Sequence, residues 1–557
     1  MNLLAQLDQL NLNPATKTQV AALMQALIDQ TERDAVLLQA KDAIISAKTA
    51  EIHTKELKIS ALTHEIAYYK RIRYSFKSEA FSAVQRDIFQ ESWNSDMSAI
   101  EAELEQLQTQ SDTTESKPKQ SRTGRQPLPA HLPRVEVRHE PEQCVCGQCG
   151  NEQLVKIGED VSEQLHIEPA VFSVIRHIRP QYACRQCEII IADPIPPAVI
   201  EGGLATVNLL TWVIIGKYLD HLPLYRLEQI AARSQVSLSR STMADWVGCV
   251  GVTLQPLVER LSHSLLQTDC LLADETPIAQ LDPEAKKAKK GKTRKAYLWA
   301  YRSNDLNDQA APRIIVFDYR QGRSGEYARE FLGDWRGHLM VDDYAGYKAL
   351  FVESPEKPAC VELACFAHAR RKFFDLYQAN QSPMAFEALE RIAKLYFIEQ
   401  DGKDFSTEQR QQSRMEKSLP LLQSLHEWLI ATRANTAPGT SAAKALDYTL
   451  RRWPALIRYA NTGHLPIDNN PTESCIRPIA LGKKNWLFVG SLRAGQRAAA
   501  IQSLLGTAKL NGLDPAQWLR ETLEKLPTWP NRRIDELLPF SAEQLAAIQL
   551  QNSNVSG

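Results

Sequence analysis

The 557-residue sequence has no long hydrophobic run, almost no net charge and no recognisable export signal. No apolar segment reaches the roughly 20 residues that a membrane-spanning helix needs, so we expect no membrane partner. The N-terminus, MNLLAQLDQLNLN, lacks the basic residues and apolar stretch of a secretory signal, which predicts a cytoplasmic protein. The net charge of −1 excludes a uniformly basic nucleic-acid binder but leaves room for local basic patches.

Cysteine is also sparse, at ten residues, and four of these form two C-x2-C pairs, Cys146/Cys149 and Cys184/Cys187. Without an export signal, thiols or metal ligands are expected rather than disulfides. The segment between the pairs is rich in residues that favour strands, and two such pairs at hairpin tips bind one structural Zn²⁺ in a zinc ribbon. Two alternatives are a redox function for the pairs and the use of Cys144 as a ligand of the first pair.

Glycine and proline are absent from residues 38–66, where apolar residues recur at every seventh position. This spacing is that of one seam of a coiled coil. The second seam carries Lys41, Lys48 and Lys55, so a long helix without a stable two-stranded coil is the alternative. We therefore predict an N-terminal helical arm, residues 1–107, through which protomers associate.

A chain of this length exceeds one hydrophobic core, and its composition changes along the sequence. Residues 225–248 predict a helix, a turn and a second helix capped by Ser239 or Ser241. Such a pair is either a DNA-binding helix-turn-helix or a packed helical hairpin. The predicted segments after the arm are a linker at 108–135, a zinc-ribbon module at 136–200, a helical region at 201–265, an α/β domain in two parts at 266–378 and 464–510 with a helical insertion at 379–463, and a helical tail at 511–557.

After residue 265 the pattern changes to short apolar runs that favour strands. Three strands, a helix and a further strand are predicted, which is the order of an RNase H-like α/β domain with helices covering its sheet. Asp274 ends the first predicted strand, 270–274, and Asp342 lies near the end of the fourth, 338–343. Carboxylates at the carboxyl edge of a sheet point into the crevice where ligands bind in such folds. The alternative for each aspartate is a turn former at a strand end.

A third acid, Glu473, lies in the segment IDNNPTESCIRPIALGKKNWLFVG (467–490). With Asn470 as the N-cap and Pro471 as the first helical residue, Glu473 takes the third helical position, where the helix dipole keeps its carboxylate ionised. Such a carboxylate suits a divalent cation. The alternative is a capping box, in which Glu473 only accepts a hydrogen bond from the Asn470 backbone.

Together, Asp274, Asp342 and Glu473 could hold two Mg²⁺ or Mn²⁺ ions about 4 Å apart and leave coordination positions for phosphate and water. This is the arrangement for in-line phosphoryl transfer, in which one ion activates the attacking hydroxyl and the other stabilises the leaving oxygen.

Cationic and aromatic residues accompany these acids, and Pro478 is expected to end or bend the helix of Glu473 before several of them. Phosphate contact is their expected role, with ion pairing to the acids, or packing for the histidine, as the alternative. The candidates are Arg477, Lys483, Lys484, Trp486, His368 and Arg371. Three further basic clusters fit either a DNA backbone or a solvated surface. They are residues 68–77, the run KKAKKGKTRK (286–295), and Arg451, Arg452 and Arg458.

Several motifs resemble the transposases of insertion-sequence family sixty-six (IS66). They are LLADETPIAQLDP around Asp274, LMVDDYAGY around Asp342, CFAHARRKFF (365–374), and DNNPTESCIRPIALGKKNWLFVGS around Glu473. Further matches in the same order are RQPLPAHLPR (125–134), the cysteine pairs, KYLDHLPLYRLEQIAARS (217–234), TAKLNGLDP (507–515) and IDELLP (534–539). The resemblance thus covers nearly the whole chain.

The resemblance implies a DDE transposase whose RNase H-like domain uses the three acids with divalent metal to cut and join DNA ends. The family usually has Asp-Gly-Tyr at the second acid, where this chain has Asp342, Asp343 and a tyrosine. Alignment through the following Tyr-Ala-Gly-Tyr selects Asp342, with Asp343 as the fallback. Because side chains alternate along a strand, only one of Asp274 and Glu275 faces the crevice, and the resemblance selects Asp274.

The implied partners are double-stranded DNA, as terminal inverted repeats and target, at least one further protomer, and accessory proteins of the same element. The implied location is the nucleoid of a bacterium. Two alternatives stay open: a structure-selective nuclease of the same fold that cuts but never joins, and a zinc-ribbon and coiled-coil DNA-binding scaffold whose acids are structural.

Overall fold

The computed structural model forms two compact units, Met1–Lys77 with Glu103–Ser116, and Ser78–Ala102 with Lys117–Gly557. Only part of each unit is described. The described residues are single positions between 30 and 63, residues 100, 102 and 128, and the stretches 130–139, 154–168, 171–184, 190–193, 197–282, 293–306, 311–353 and 359–546. The described positions between 30 and 63 are helical, as predicted for the arm. Within these ranges, no helix combines the length and apolarity needed to cross a lipid bilayer.

The first sheet of the second unit is built around a long hairpin. Its strands are β1 (Arg134–Arg138), β2 (Leu154–Glu168), β3 (Val171–Cys184) and β4 (Ile190–Ala192). Strands β2 and β3 are antiparallel, whereas β1 is parallel to β3. Cys184 is the last residue of β3. The other members of the cysteine pairs, Cys146, Cys149 and Cys187, lie outside the described residues, as does Cys144.

Four helices follow this sheet: Val207–Tyr218, Leu224–Arg233, Arg240–Thr253 and Gln255–Leu265. The helix, turn and helix expected at 225–248 are therefore present. The Ser239 side chain accepts a hydrogen bond from the backbone N–H of Thr242, which makes Ser239 the cap of the second helix of the pair. Apolar residues of these helices pack in one core with the β2–β3 hairpin, as the burial of Val174 and Leu209 illustrates.

The second sheet has five strands in the order β7-β6-β5-β8-β9. They are β5 (Cys270–Leu281), β6 (Thr293–Ser303), β7 (Ile315–Arg320), β8 (His338–Val341) and β9 (Val361–Ala364). Strands β5, β6 and β7 form an antiparallel meander, and β5, β8 and β9 are parallel. The helix Gly325–Leu332 lies between β7 and β8 in the chain. The three strands, helix and fourth strand expected from the sequence are thus observed.

Helices account for most of the remaining chain. They are Phe366–Asn380, Pro383–Asp401, Thr407–Ser413, Leu419–Ala434, Ser441–Leu456, Asn470–Trp486, Leu492–Leu510 and Pro515–Lys525. Shorter helical turns are Ala345–Phe351, Arg414–Ser418, Ile457–Asn461, Leu526–Thr528 and Asn531–Leu537. The helix Asn470–Trp486 continues through Pro478, so of the two expected effects of this proline, an end of the helix or a bend, the end was wrong. Pro478 and Ser474 are both exposed, which lets water hydrate the carbonyl that loses its helical donor.

The two faces of the second sheet pack in different cores because side chains alternate along its strands. Leu271 belongs to the core shared with the first four helices, whereas Leu272 and Met340 belong to a second core. This second core includes Phe366 and residues of the helices between 383 and 461. Asp274 shares the alternation of Leu272 and therefore the face covered by the later helices.

Candidate active site

The register of two neighbouring strands brings the first two candidate acids together. Strand β5 pairs with β8 in parallel, with Leu272 opposite Met340. Continued two residues beyond this last pair, the register brings Asp274 level with Asp342, and repulsion from the Asp342 carboxylate is one of the causes that raise the pKa of Asp274. Asp342 directly follows β8, as expected. Asp274 does not end its strand, because β5 continues to Leu281 in pairing with β6, which corrects the expected strand end at residue 274.

The helix that carries Glu473 is attached to the same strand. Asn469, fully buried just before the helix, donates from Nδ2 to the carbonyl oxygen of Ala273 at 2.9 Å. Its backbone N–H also donates to Sγ of Cys365 at 3.2 Å. Two hydrogen bonds from one residue therefore hold the helix start beside the residue that precedes Asp274.

The expected cap of this helix was wrong by one residue. Asn469 is the N-cap, which makes Glu473 the fourth helical residue instead of the third. The Asn470 N–H donates to Asp468 Oδ1 at 3.1 Å, and its Nδ2 donates to Asp468 Oδ2 at 2.6 Å. Because Asp468 takes these donors, Glu473 is not engaged in a capping box and its carboxylate is available for other contacts.

Glu473 has two cationic neighbours on the helix Phe366–Asn380. Arg371 Nη2 lies 3.3 Å from Glu473 Oε2, and His368 Nε2 lies 3.8 Å from Oε1. Oε1 is buried and has no hydrogen-bond partner among the described residues. Burial lowers the pKa of His368, and the charge of Glu473 opposes that shift. His368 and Arg371, both predicted to contact DNA, thus lie against an acid of the candidate site.

The pKa of Asp274 is shifted by burial and by several neighbouring carboxylates. Burial is the largest cause that raises the pKa of Asp274, to about 7. Repulsion from Glu275, and to a smaller extent from Asp342 and Glu473, acts in the same direction. A hydrogen bond at 2.8 Å from the Glu275 N–H to Asp274 Oδ1 opposes it. Concentrated negative charge that lacks a compensating cation is the environment that a divalent metal ion relieves.

Glu275 is fully occupied by other partners. Its side chain is 1% exposed and accepts hydrogen bonds from Arg323 Nε at 2.6 Å and from the Tyr347 hydroxyl at 2.7 Å. Burial raises the pKa of Glu275, and the bonds from Tyr347 and Arg323 oppose that rise. Glu275 therefore lies on the opposite strand face from Asp274, as side-chain alternation predicted.

Asp342 and Asp343 differ in their neighbours. Asp342 Oδ1 accepts the backbone N–H of Tyr344 at 2.9 Å, and its Oδ2 lies 4.0 Å from Arg323. Asp343 instead forms ion pairs with Arg451 and with Lys348, the latter at 3.2 Å. These cations occupy Asp343, which favours Asp342 as the metal-binding member of the pair.

Two insertion arginines have internal roles that the sequence interpretation missed. Arg452 is buried, pairs with Glu362 of β9, and donates to the carbonyl oxygen of Asp342 at 3.2 Å. Arg458 donates to the Glu362 carbonyl oxygen. Neither is a solvated surface group, since both connect the insertion to the strands. The basic segment 68–77 and most of 286–295 lie outside the described residues.

The remaining DNA-contact candidates lie along the helix Asn470–Trp486. Arg477 and Lys484 are exposed, and Trp486 is half-buried near the helix end. Lys483 Nζ donates to the carbonyl oxygen of Pro277 on β5 at 3.1 Å. Lys483 is therefore partly engaged by the protein itself, toward the far end of β5 from Asp274.

Sequence reasoning also missed Arg323, which follows β7. A signal was present, because in an antiparallel meander β7 runs parallel to β5 and its carboxyl end reaches the same sheet edge as Asp342. Asp468 and Asn469 were missed for another reason. Their roles depend on contacts with Asn470 and Ala273 that cannot be predicted from local sequence patterns.

The donor set fits a divalent cation, although not in the present arrangement. Three carboxylates influence one another electrostatically, and one oxygen of Glu473 is buried without a hydrogen-bond donor. Yet among the described side chains, no three His, Cys, Asp or Glu residues stand close enough to enclose a metal ion. Asp342 and Glu473 each lie near an arginine, and binding of a cation by all three carboxylates would require them to turn from these arginines toward Asp274.

Comparisons with family models cover most of the chain. The model described as Transposase IS66 family matches residues 202–497. The zinc-finger binding domain of transposase IS66 matches residues 143–188, a range that contains both cysteine pairs. The IS66 C-terminal element matches 503–540, and the model named Transposase C of IS166 homeodomain matches 61–137.

Comparisons with individual proteins give long matches to uncharacterized proteins of Sinorhizobium fredii. The protein y4jD is 35% identical over 494 residues, which cover 86% of this chain and 94% of y4jD. The protein y4qI is 32% identical over 528 residues, which cover 93% of this chain and 96% of y4qI. No solved structure matches the chain.

Proposed function

The chain belongs to the IS66 transposase family, and from that premise we propose that it cuts the ends of an insertion sequence and joins them to target DNA by divalent-metal-dependent phosphoryl transfer. The observation that supports this mechanism is the parallel pairing of β5 with β8, whose register, continued past Leu272 and Met340, brings Asp274 level with Asp342, together with the bond from Asn469 to Ala273 that attaches the helix of Glu473 to β5. Three such carboxylates are the oxygen donors that Mg²⁺ or Mn²⁺ prefers.

We further propose that the second sheet is RNase H-like. The antiparallel meander followed by a helix and two parallel strands supports this assignment. In this proposal the catalytic domain consists of β5 to β9 and the helix Asn470–Trp486, and the helices between 383 and 461 form an insertion. Arg452 and Arg458 join that insertion to the strand that follows Asp342.

The protein groups have distinct parts in the proposed reaction. Backbone N–H groups of Glu275 and Tyr344 fix one oxygen of Asp274 and of Asp342, which leaves the second oxygen of each for a cation. Bound divalent cations would activate the attacking hydroxyl and stabilise the leaving oxygen. The exposed Arg477 and Lys484 extend from the same helix as Glu473 and would bind flanking phosphates.

The zinc-finger match supports a structural Zn²⁺ held by Cys146, Cys149, Cys184 and Cys187. We propose that the finger and the helical pair ending in Arg240–Thr253 bind DNA outside the reaction centre. Joining two DNA ends requires at least two protomers, and the arm is the proposed interface. Ile45 and Ile52, 61% and 55% exposed, are apolar residues that association would cover. Accessory proteins of the element remain proposed partners.

The test is incubation of the full chain with duplex DNA that carries the terminal inverted repeats of its element, in Mg²⁺ or Mn²⁺. We expect nicking at the repeat ends and strand joining to a target duplex. Asp342→Asn should reduce both by at least about 100-fold, since it removes a proposed metal ligand.

Two variants serve as controls. Asp404→Asn changes an exposed acid in a loop and should act like the wild type. Asp343→Asn tests the neighbouring fallback and should retain more activity than Asp342→Asn. Binding without cleavage in the wild-type protein would contradict both enzymatic interpretations, and cleavage without joining would identify a nuclease instead.

A further inference from the structure

Arg323 is held beside the candidate acids by two side chains, those of Glu275 and Tyr344. It donates from Nε to Glu275 Oε1 at 2.6 Å, and its Nη2 approaches the same oxygen. Its guanidinium lies over the ring of Tyr344, 3.8 Å from the ring centroid. The Tyr344 hydroxyl donates in turn to the Arg323 carbonyl oxygen. The orientation of this arginine is therefore set before any ligand arrives.

The burial of this ion pair is unequal. The Glu275 side chain is 1% exposed, whereas that of Arg323 is 39% exposed. Glu275 is also anchored from behind by the Tyr347 hydroxyl at 2.7 Å, and the Tyr347 ring is fully buried against Trp299. A buried carboxylate thus fixes a guanidinium whose remaining N–H groups face outward.

The guanidinium group also lies close to Asp342, through the same Nη2 that contacts Glu275. Arg323 Nη2 lies 4.0 Å from Asp342 Oδ2, too far for a hydrogen bond but close enough for strong electrostatic interaction. A ligand phosphate bound at Asp342 through a cation would therefore come within reach of the guanidinium. Guanidinium binds phosphate oxygens through two parallel N–H groups, and a preoriented one loses little entropy on binding.

From this geometry we propose that Arg323 binds a non-bridging oxygen of the DNA phosphate that reacts at the acid cluster, and that Glu275 is the positioning residue for Arg323. The inference rests on the proposed function for the identity of the ligand, a phosphodiester. It adds a phosphate-binding residue from the β7 edge of the sheet to the acids supplied by β5, β8 and the later helix.

If the ion pair had only a structural role, Arg323 would serve only to neutralise the Glu275 carboxylate. One oxygen of that carboxylate already accepts a hydrogen bond from the Tyr347 hydroxyl. It would also predict that loss of Arg323 affects folding alone, irrespective of the charge on the DNA. A phosphate-binding role and a purely structural role of Arg323 can therefore be distinguished by changing the charge of the DNA phosphate instead of the protein.

The experiment compares two duplexes that carry the terminal repeat, one natural and one with an uncharged methylphosphonate at the scissile position. Binding is measured by fluorescence anisotropy in Ca²⁺, a divalent cation that also takes oxygen ligands, and cleavage is measured separately in Mg²⁺. Arg323→Ala should weaken binding of the natural duplex roughly 10- to 100-fold, the range for a lost charged hydrogen bond. On the methylphosphonate duplex, wild type and variant should bind alike.

Three further variants sharpen the result. Arg329→Ala removes an exposed arginine from the adjacent helix and should bind both duplexes like the wild type. Glu275→Gln should show part of the Arg323→Ala loss, and the double variant no more than Arg323→Ala alone, because Glu275 acts through Arg323. The double variant also leaves no unpaired buried carboxylate, so its thermal unfolding shows whether Arg323→Ala acted by misfolding.

Equal losses on both duplexes, or no loss on either, would overturn the assignment of Arg323. The proposed function fails separately. A wild-type protein that binds with the expected phosphate dependence but neither cuts nor joins in Mg²⁺ refutes phosphoryl transfer and leaves the Arg323 contact standing. A wild-type protein that cuts and joins while Arg323→Ala matches it refutes only the contact.

Discussion

Asp274 combines burial with three carboxylate neighbours, and both raise the pKa of its side chain. A carboxyl group with a raised pKa opposes folding whenever it is ionised. The penalty is absent below the ordinary value of 3.8, grows as the pH rises, and is complete above about 7. Without metal, the ionised side chain of Asp274 should therefore lower the free energy of unfolding at neutral pH.

We expect Asp274→Asn to unfold at a higher temperature than the wild type at pH 8 in chelator. The gain is on the order of 4 kcal/mol, since the pKa rises from 3.8 to about 7 and one pKa unit corresponds to about 1.4 kcal/mol. Thermal unfolding followed by circular dichroism from pH 4 to 8 measures it. The difference should vanish near pH 4, where both side chains are neutral.

The exposed Asp404→Asn variant is the control and should show no such pH-dependent gain. A destabilised Asp274→Asn protein at pH 8 would contradict the account of Asp274. In that case its carboxylate would already be stabilised by the protein without any cation.

At the scale of elements, the helix Asn470–Trp486 and strand β5 show where local patterns reach their limit. The Asn-Pro start correctly indicated a helix that carries Glu473 near its N-terminus, because Pro at an early helical position is a local preference. The cap shifted by one residue because Asp468 accepts from both donors of Asn470. Strand β5 extends beyond its apolar segment because the polar half of β5 also pairs with β6.

Asn469 connects this helix to strand β5. Its substitution should show how the position of Glu473 affects cleavage while the charge of Glu473 is unchanged. Asn469→Ala removes the hydrogen bond to Ala273 and leaves a buried carbonyl group without this donor. We expect a loss of stability of about 1–3 kcal/mol. We also expect a fall in end cleavage of roughly 10- to 100-fold, because small displacements of a catalytic group are costly.

The matched control for this variant is Ser474→Ala, an exposed position in the same helix that should leave both quantities unchanged. Unfolding in urea and end-cleavage rates at saturating metal give the two numbers. Full cleavage by a destabilised Asn469→Ala protein would show that the Ala273 contact supports folding but does not position Glu473.

At the scale of the whole molecule, the first sheet does not form a separate module. It shares one core with the helices between 207 and 265 and with one face of the second sheet. The backbone of Leu165 in β2 exchanges hydrogen bonds with residues 204 and 206, directly before the helix Val207–Tyr218. Val174 of β3 and Trp299 of β6 belong to the same buried cluster. The β2–β3 hairpin, which ends at Cys184 of the second cysteine pair, therefore packs into the structure that supports the candidate active site.

This shared core predicts how zinc removal affects unfolding. Cys184→Ser, or stripping of zinc with a chelator, should lower the main unfolding transition, on the order of 5 °C if zinc contributes a few kcal/mol. Scanning calorimetry with zinc analysis provides the measurement. Cys249→Ser, outside the pairs, should keep its zinc and its transition temperature. A separate early transition with an unchanged main one would show that the finger unfolds independently.

The sequence by itself determined the features that depend on local pattern. These are the succession of three strands, a helix and a fourth strand along the chain, the helices and the cysteine pairs, which follow from residue periodicity, turn and cap preferences, or motif spacing. The choice of the three candidate acids was implied by the resemblance of their motifs to the family. The Asp342 assignment also came from the sequence, and the ion pairs of Asp343 add a physical reason for it.

Only the tertiary structure decided how these pieces meet. The parallel pairing of β5 with β8 directly before Asp274 and Asp342, the bond from Asn469 to Ala273 and the Arg323–Glu275 pair all join residues far apart in the chain. Such contacts depend on how strands align and helices pack, and packing sums many weak interactions that no short segment encodes. The acids could be named from the sequence, but their common neighbourhood and its arginine are products of the fold.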